Sequence, residues 1–211
     1  MKKTKMLILS MVMGISLMLF VLLAVFANIN KPLKIDSLMF NFCNKISTDG
    51  VIEFTKVFTT IGSIYALAIF SLCTLFFKNK IIGLMSILSL GCSAVACVVV
   101  KYIIRRPRPA ISHIEEVGYS FPSAHAMLTV VVLGFVAYIL IKHLKNKPVK
   151  IVLASVLWVV AILVGFSRIM LGVHYLTDVL AGWLMAVIVL ILTIDIYNHI
   201  LKSCKRFKQF K

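Results

Sequence analysis

Residues 172–194 read GVHYLTDVLAGWLMAVIVLILTI. From Val179 onward the run is apolar enough to cross a bilayer, yet its first turn carries His174 and Asp178. A helix beginning near residue 174 stacks this four-residue pair on one face. Ionisable groups at the end of a membrane helix are costly, so a functional role is the default. The spacing suits a nucleophile and its orienting group: a carboxylate that accepts the proton of one ring nitrogen fixes the tautomer and leaves the other nitrogen bare.

The rest of the chain has the same apolar character. Of its 211 residues 61% are hydrophobic and 14% charged, with a mean hydropathy of +1.04, a balance that excludes an ordinary soluble domain. Apolar runs recur at Met6–Ala27, Val57–Phe77, Ile81–Ile104, His125–Ile141, Ile151–Phe166 and Leu176–Tyr197. Each is near the roughly 20 residues that span a hydrocarbon core of about 30 Å. The expected fold is therefore all-α: a polytopic membrane protein, a six-transmembrane-helix bundle forming one domain over residues 1–211. The basic start MKKTK and the triplet Val25-Phe26-Ala27 also fit a signal peptide, but the apolar stretch exceeds the roughly 7–15 residues of such a core, which favours an uncleaved anchor. Cys73, Cys92 and Cys97 fall inside apolar runs, and Cys43 and Cys204 fall on opposite sides, so no disulfide framework is expected.

A net charge of +16 is explained by topology without invoking nucleic acid. With a cytoplasmic N-terminus, the inner segments 1–5, 78–80, 142–150 and the basic tail 198–211 hold 14 of the 23 Lys and Arg residues, as the positive-inside rule requires. Both termini are then cytoplasmic, and the residues with chemical character collect at the extracytoplasmic face. In the first outer loop, residues 33–46 (LKIDSLMFNFCNKI) space Ile35, Leu38, Met39, Phe42 and Ile46 as one helical face. This predicts a helix lying flat at the interface, with Asp36, Asn41 and Lys45 turned to water. The third run is rich in small residues (Gly83, Ser86, Ser89, Gly91, Ser93, Ala94, Ala96), which predicts a central place in the bundle.

Three clusters share the outer level. The third run ends in KYIIRRPRP, where Pro107 disfavours helical geometry at Arg106 and leaves Lys101 on the last turn and Arg108 beyond it. Four cations within eight residues require something negative among them, either lipid headgroups met by snorkelling side chains or a bound phosphate, for which arginine's planar fork is suited. GYSFPSAHA opens the fourth run. Ser123 is a helix cap or an anion ligand there, with the free N–H groups of Ala124 and His125 beside it. SRIMLGVHYLTD adds Arg168 to His174 and Asp178.

In these residues the chain resembles the type 2 phosphatidic acid phosphatase superfamily. The family's first motif stands here as Lys101 to Arg108-Pro109, its second as Pro122-Ser123-Ala124-His125, and its third as Ser167-Arg168 to His174 and Asp178. Two positions depart from the pattern: Ala124 replaces a glycine, and Leu176 stands where many members have proline. The resemblance implies an integral-membrane lipid phosphatase of the cell envelope acting through a phosphohistidine. His174 would be the nucleophile, His125 the general acid and base, and Asp178 the orienting carboxylate. Lys101, Arg108, Ser123, Ala124 and Arg168 would hold the phosphate, with Arg106 accessory. It implies no metal, no cofactor and no nucleic-acid partner, only a lipid phosphate in the bilayer: undecaprenyl diphosphate, phosphatidylglycerol phosphate or phosphatidic acid. Arg105, His113, Glu115 and Glu116 are expected to be plain loop residues. Two other classes remain. A metal-dependent hydrolase would use His125, His174 and Asp178 as ligands, and a lipid-phosphate binder or flippase would need the cations but not the His–Asp pair.

Overall fold

The computed structural model describes residues 2–29 and 32–208; residues 209–211 of the expected basic tail lie outside them. The described residues form eight α-helices: α1 (Lys2–Asn28), α2 (Lys34–Ile46), α3 (Asp49–Thr59), α4 (Ile64–Cys73), α5 (Lys80–Ile104), α6 (Ala124–His143), α7 (Lys147–Met170) and α8 (Leu176–Lys208). Several starts are written in capping residues. The side chains of Thr48, Ser63, Asn79 and Asn146 accept backbone N–H groups from Val51, Ala66, Ile81 and Val149, satisfying donors that a helix start leaves free.

Five helices are long and apolar enough to cross a membrane unaided: α1, α5, α6, α7 and α8. The sixth expected span is broken. Over Asp49–Phe76 the chain runs as α3, a 3-10 turn, α4 and a second 3-10 turn, with a bend of 48° at Gly62–Ser63. The cause is local. Ser63 is extended and caps α4, and a Cβ at Gly62 would stand 2.2 Å from Val164 Cγ1 and 3.3 Å from His125 Cδ2. The bend thus lets this backbone reach the site wall. The protein is a multi-pass membrane protein with an all-helical bundle fold.

The expectation that the third run occupies the centre needs correction. That place belongs to α6, whose Met127, Val131, Phe135 and Ala137 are fully buried and which packs on α5, α7 and α8. On α5, Ser86, Ser89, Ser93 and Cys97 face the protein, while Leu84, Leu88, Val95 and Val99 are exposed. Its small residues serve a tight approach on one side: a Cβ at Gly83 would meet Leu75 at 2.5 Å.

The helix expected in the first outer loop is present as α2, but its orientation differs from expectation. Ile35, Leu38, Phe42 and Ile46 are exposed, as an interfacial apolar face would be in the absence of lipid. Asn41 and Lys45 are also exposed. Asp36 is not turned to water: it is 2% exposed, on the same protein-facing edge as Cys43. The reason is a charged partner inside the protein, described below.

Candidate active site

The C-terminal ends of α5 and α7 and the N-terminal ends of α6 and α8 meet at one end of the bundle. Backbone bonds tie them together: Ser123 N–H donates to Asp178 O at 3.0 Å, and Ser120 N–H to Arg106 O at 2.9 Å. The crossing of α6 on α8 is close enough that a Cβ at Gly182 would lie 2.7 Å from Ser123 O. Arg105 closes α5 in the left-handed conformation, with φ of 53°, and sends the RPRP segment across the site.

A cavity of about 420 Å³ opens here, lined on its polar side by Lys101, Arg108, Glu116, Ala124, His125 and His174. Its other wall is apolar, with Ile64, Ala94, Val98 and Leu128. Ser123, Arg168 and Asp178 do not line it; they are fully buried around it. The fold therefore brings all three sequence clusters to one chamber, with part of the expected phosphate-binding set set back from its surface.

His174 sits in the turn between α7 and α8. Its N–H and that of Val173 donate to Arg168 O at 3.3 and 3.2 Å, and Gly172 takes the required positive φ of 68°. The ring is polarised from both sides. Nε2 lies 3.3 Å from a terminal nitrogen of Arg108, and since arginine can only donate, Nε2 presents its lone pair. Nδ1 lies 3.5 Å from Asp178 Oδ2, too long for a formed hydrogen bond, but it has that carboxylate as its acceptor. Burial, together with Lys101, Arg168, Arg108 and His125, holds the imidazole well below its ordinary range, so the ring stays neutral, as a nucleophile requires. Burial also lowers the Arg108 guanidinium.

At the start of α6, Ser123 occupies the N-cap position without capping, and its buried hydroxyl has no partner. A buried hydroxyl beside free helix N–H groups makes a donor set suited to an anion's oxygens. His125 is half-buried at the same helix start.

The two remaining arginines are held differently. Arg168 donates to Thr59 Oγ1 at 3.1 Å and pairs with Glu116, while its Nε is buried without a partner. Glu116 also lies 3.7 Å from Arg108. It is therefore not a plain loop residue; it puts a carboxylate between two cations of the chamber. Arg106 is 2% exposed. It donates through one terminal nitrogen to Asp178 Oδ1 at 2.6 Å and Thr177 Oγ1 at 2.7 Å, and through the other to Asp36 Oδ2 at 3.0 Å. It also stacks 4.0 Å from the Tyr175 ring centre. Arg105 is exposed and bonds Tyr102 O, and His113 joins the site's frame only through its backbone.

Sequence reasoning passed over Asp36, Thr59 and Thr177. Thr59 is the last residue of α3, ahead of the 3-10 turn that leads into the bend, and has no signal in the sequence. Thr177 sits inside the His174–Asp178 motif, where nothing in the sequence sets it apart from its neighbours. Asp36 is one of several polar residues of an amphipathic helix, and nothing in the sequence marks it off from Asn41 or Lys45.

Comparison with known proteins places these observations in a family. The sequence profile of the PAP2 superfamily matches residues 81–201. A phosphatidylglycerophosphatase B of Bacillus subtilis is 36% identical over 139 residues, 64% of this chain and 65% of that protein. An undecaprenyl-diphosphatase of Sulfolobus acidocaldarius is 27% identical over 139 residues, 60% of each chain. The chain thus spans somewhat less than two thirds of the length of these relatives. The crystal structure of a transmembrane PAP2-type phosphatidylglycerolphosphate phosphatase from Bacillus subtilis superimposes with a TM-score of 0.75 at 27% identity, covering 88% of this chain and 96% of that one. A profile match across more than half the chain, over the helices that build the chamber, means that this protein belongs to the PAP2 superfamily.

Proposed function

We propose that the protein is a metal-independent membrane phosphatase that hydrolyses the phosphomonoester or diphosphate of a lipid, with His174 as nucleophile. The observation that carries this is the posture of His174: buried at the chamber, with Nε2 facing an Arg108 nitrogen at 3.3 Å and Nδ1 facing Asp178 Oδ2 at 3.5 Å. In this mechanism Nε2 attacks phosphorus as the lipid oxygen leaves, taking a proton from His125. Water then cleaves the N–P bond, giving its proton to His125 and releasing phosphate. Lys101, Arg108, Ser123, the Ala124 N–H and Arg168 hold the equatorial oxygens as charge spreads over them. The relatives' names support phosphatidylglycerol phosphate and undecaprenyl diphosphate as the substrate class, and the apolar wall of the chamber suits a lipid stem.

The test is phosphate release by purified protein from a panel of these lipids and phosphatidic acid. Release should persist in excess EDTA, fall with vanadate, a transition-state mimic, and vanish in His174→Ala. Loss in EDTA that zinc or magnesium restores would turn the reading to metal hydrolysis, and tight lipid binding without release would turn it to a binder or flippase.

The site is read as extracytoplasmic because 14 of 23 basic residues collect in the segments of the opposite side. Val117, 95% exposed at the chamber rim, reports on this. Val117→Cys in a variant lacking the native cysteines should react with an impermeant maleimide in intact cells. Labelling only after lysis would reverse the orientation.

A further inference from the structure

Asp36 lies far from every motif in sequence and does not line the chamber, yet it is among the most fully bonded side chains in the protein. Its Oδ2 accepts from Arg106 at 3.0 Å, Thr177 Oγ1 at 2.9 Å and Leu33 N–H at 3.1 Å, and its Oδ1 accepts the Thr177 N–H at 2.9 Å. Removing a carboxylate from water costs several kcal/mol unless it is compensated this completely. A surface helix anchored only by apolar contact would not need such a group.

What Asp36 changes is the way Arg106 meets Asp178. An arginine facing a lone carboxylate prefers the two-pronged grip, one N–H to each oxygen. Here Asp36 takes one terminal nitrogen and Thr177 shares the other, so Arg106 reaches Asp178 through Oδ1 alone. Oδ2 is left for the Tyr175 N–H at 3.0 Å and for His174 Nδ1. We propose that Asp36, with Thr177, is a positioning residue for catalysis: by engaging the far side of Arg106 it prevents a two-pronged Arg106–Asp178 pair and so keeps Asp178 Oδ2 turned to His174. The interfacial helix α2 is in this way part of the catalytic apparatus without touching substrate. The inference rests on His174 acting as the nucleophile.

The test is a double-mutant cycle between Asp36→Asn and Asp178→Asn, read as kcat on an aryl phosphate whose good leaving group keeps slow variants measurable. Asp36→Asn should lower kcat about tenfold or more while the competitive inhibition constant of inorganic phosphate changes less than about twofold. In the Asp178→Asn background, where no carboxylate remains to be misdirected, the same change should cost less than about twofold. A merely structural anchor for α2 would cost the same factor in both backgrounds, and that additivity, or a kcat near wild type in Asp36→Asn, overturns the inference. If Asp178→Asn has no measurable rate, the split between kcat and phosphate inhibition decides: parallel losses overturn it. If Asp36→Asn does not accumulate folded, Thr177→Val, which removes the shared hydroxyl at nearly constant volume, should lower kcat several-fold with phosphate inhibition unchanged, and no effect on kcat overturns it. A wild type without phosphatase activity, or an active His174→Ala, would instead defeat the functional reading itself.

Discussion

Two buried arginines, Arg106 and Arg168, stand behind the chamber, and they are neutralised in opposite ways. Arg106 is paired with two carboxylates of zero side-chain exposure, Asp36 on α2 and Asp178 on α8. Arg168, equally buried, is paired with Glu116, which stands 26% exposed on the loop after α5, and keeps an unpartnered Nε. A charge compensated from rigid helices is fixed for the life of the fold. One compensated from a loop carboxylate that can swing to water is exchangeable. The contrast separates a cation tied into the frame of the site from one that, on the proposed function, is free to take a phosphate oxygen.

Truncating each arginine should break the symmetry most strongly. Arg106→Met strands two buried carboxylates, and breaking a buried pair costs about 3–5 kcal/mol; thermal unfolding in detergent should show a large drop, with activity lost alongside. Arg168→Met should cost about 10²–10³ in kcat/KM, the scale of one lost transition-state donor, with a much smaller change in unfolding temperature because Glu116 can turn to solvent. Equal destabilisation by both would erase the distinction.

The smaller effect lies on the exchangeable side. If Arg168 and Arg108 hold the phosphate as proposed, it competes with Glu116, which pairs with the one and lies 3.7 Å from the other. Glu116→Gln removes the competing charge, so inorganic phosphate should inhibit several-fold more tightly, on the order of three- to tenfold, since like charges about 4 Å apart repel by about 1 kcal/mol even when fully screened by bulk water. Weaker inhibition would show that Glu116 assists binding and does not compete for the cage.

The same contrast marks what was legible in the sequence. That Lys101, Arg108, His125, Arg168, His174 and Asp178 gather around one chamber could be read because ionisable residues stand out at the ends of apolar helices and topology puts those ends on one side. Asp36 could not, because amphipathic periodicity assigns every polar residue to water and has no means of seeing a buried cation 70 residues away. The central helix was also misplaced. In a bilayer both lipid and protein interior are apolar, so hydropathy does not tell α6, enclosed on all sides, from α5, which faces lipid along one flank. The bend at Gly62–Ser63 was hidden by an apolar run of the right length for one straight span, with only the short polar stretch TTIGS to betray it.

Two glycines of this site share a backbone conformation but not a fate. Gly172 and Gly118 both have positive φ, 68° and 83°. A side chain at 172 would drive its Cβ to 2.4 Å from Ile111 O, whereas at 118 nothing lies within 4 Å. Left-handed backbone alone still admits asparagine or aspartate at modest cost. As this lineage drifts, position 118 on the rim can therefore pass to asparagine or aspartate at modest backbone cost, while the turn that presents His174 has no neighbouring sequence to move to.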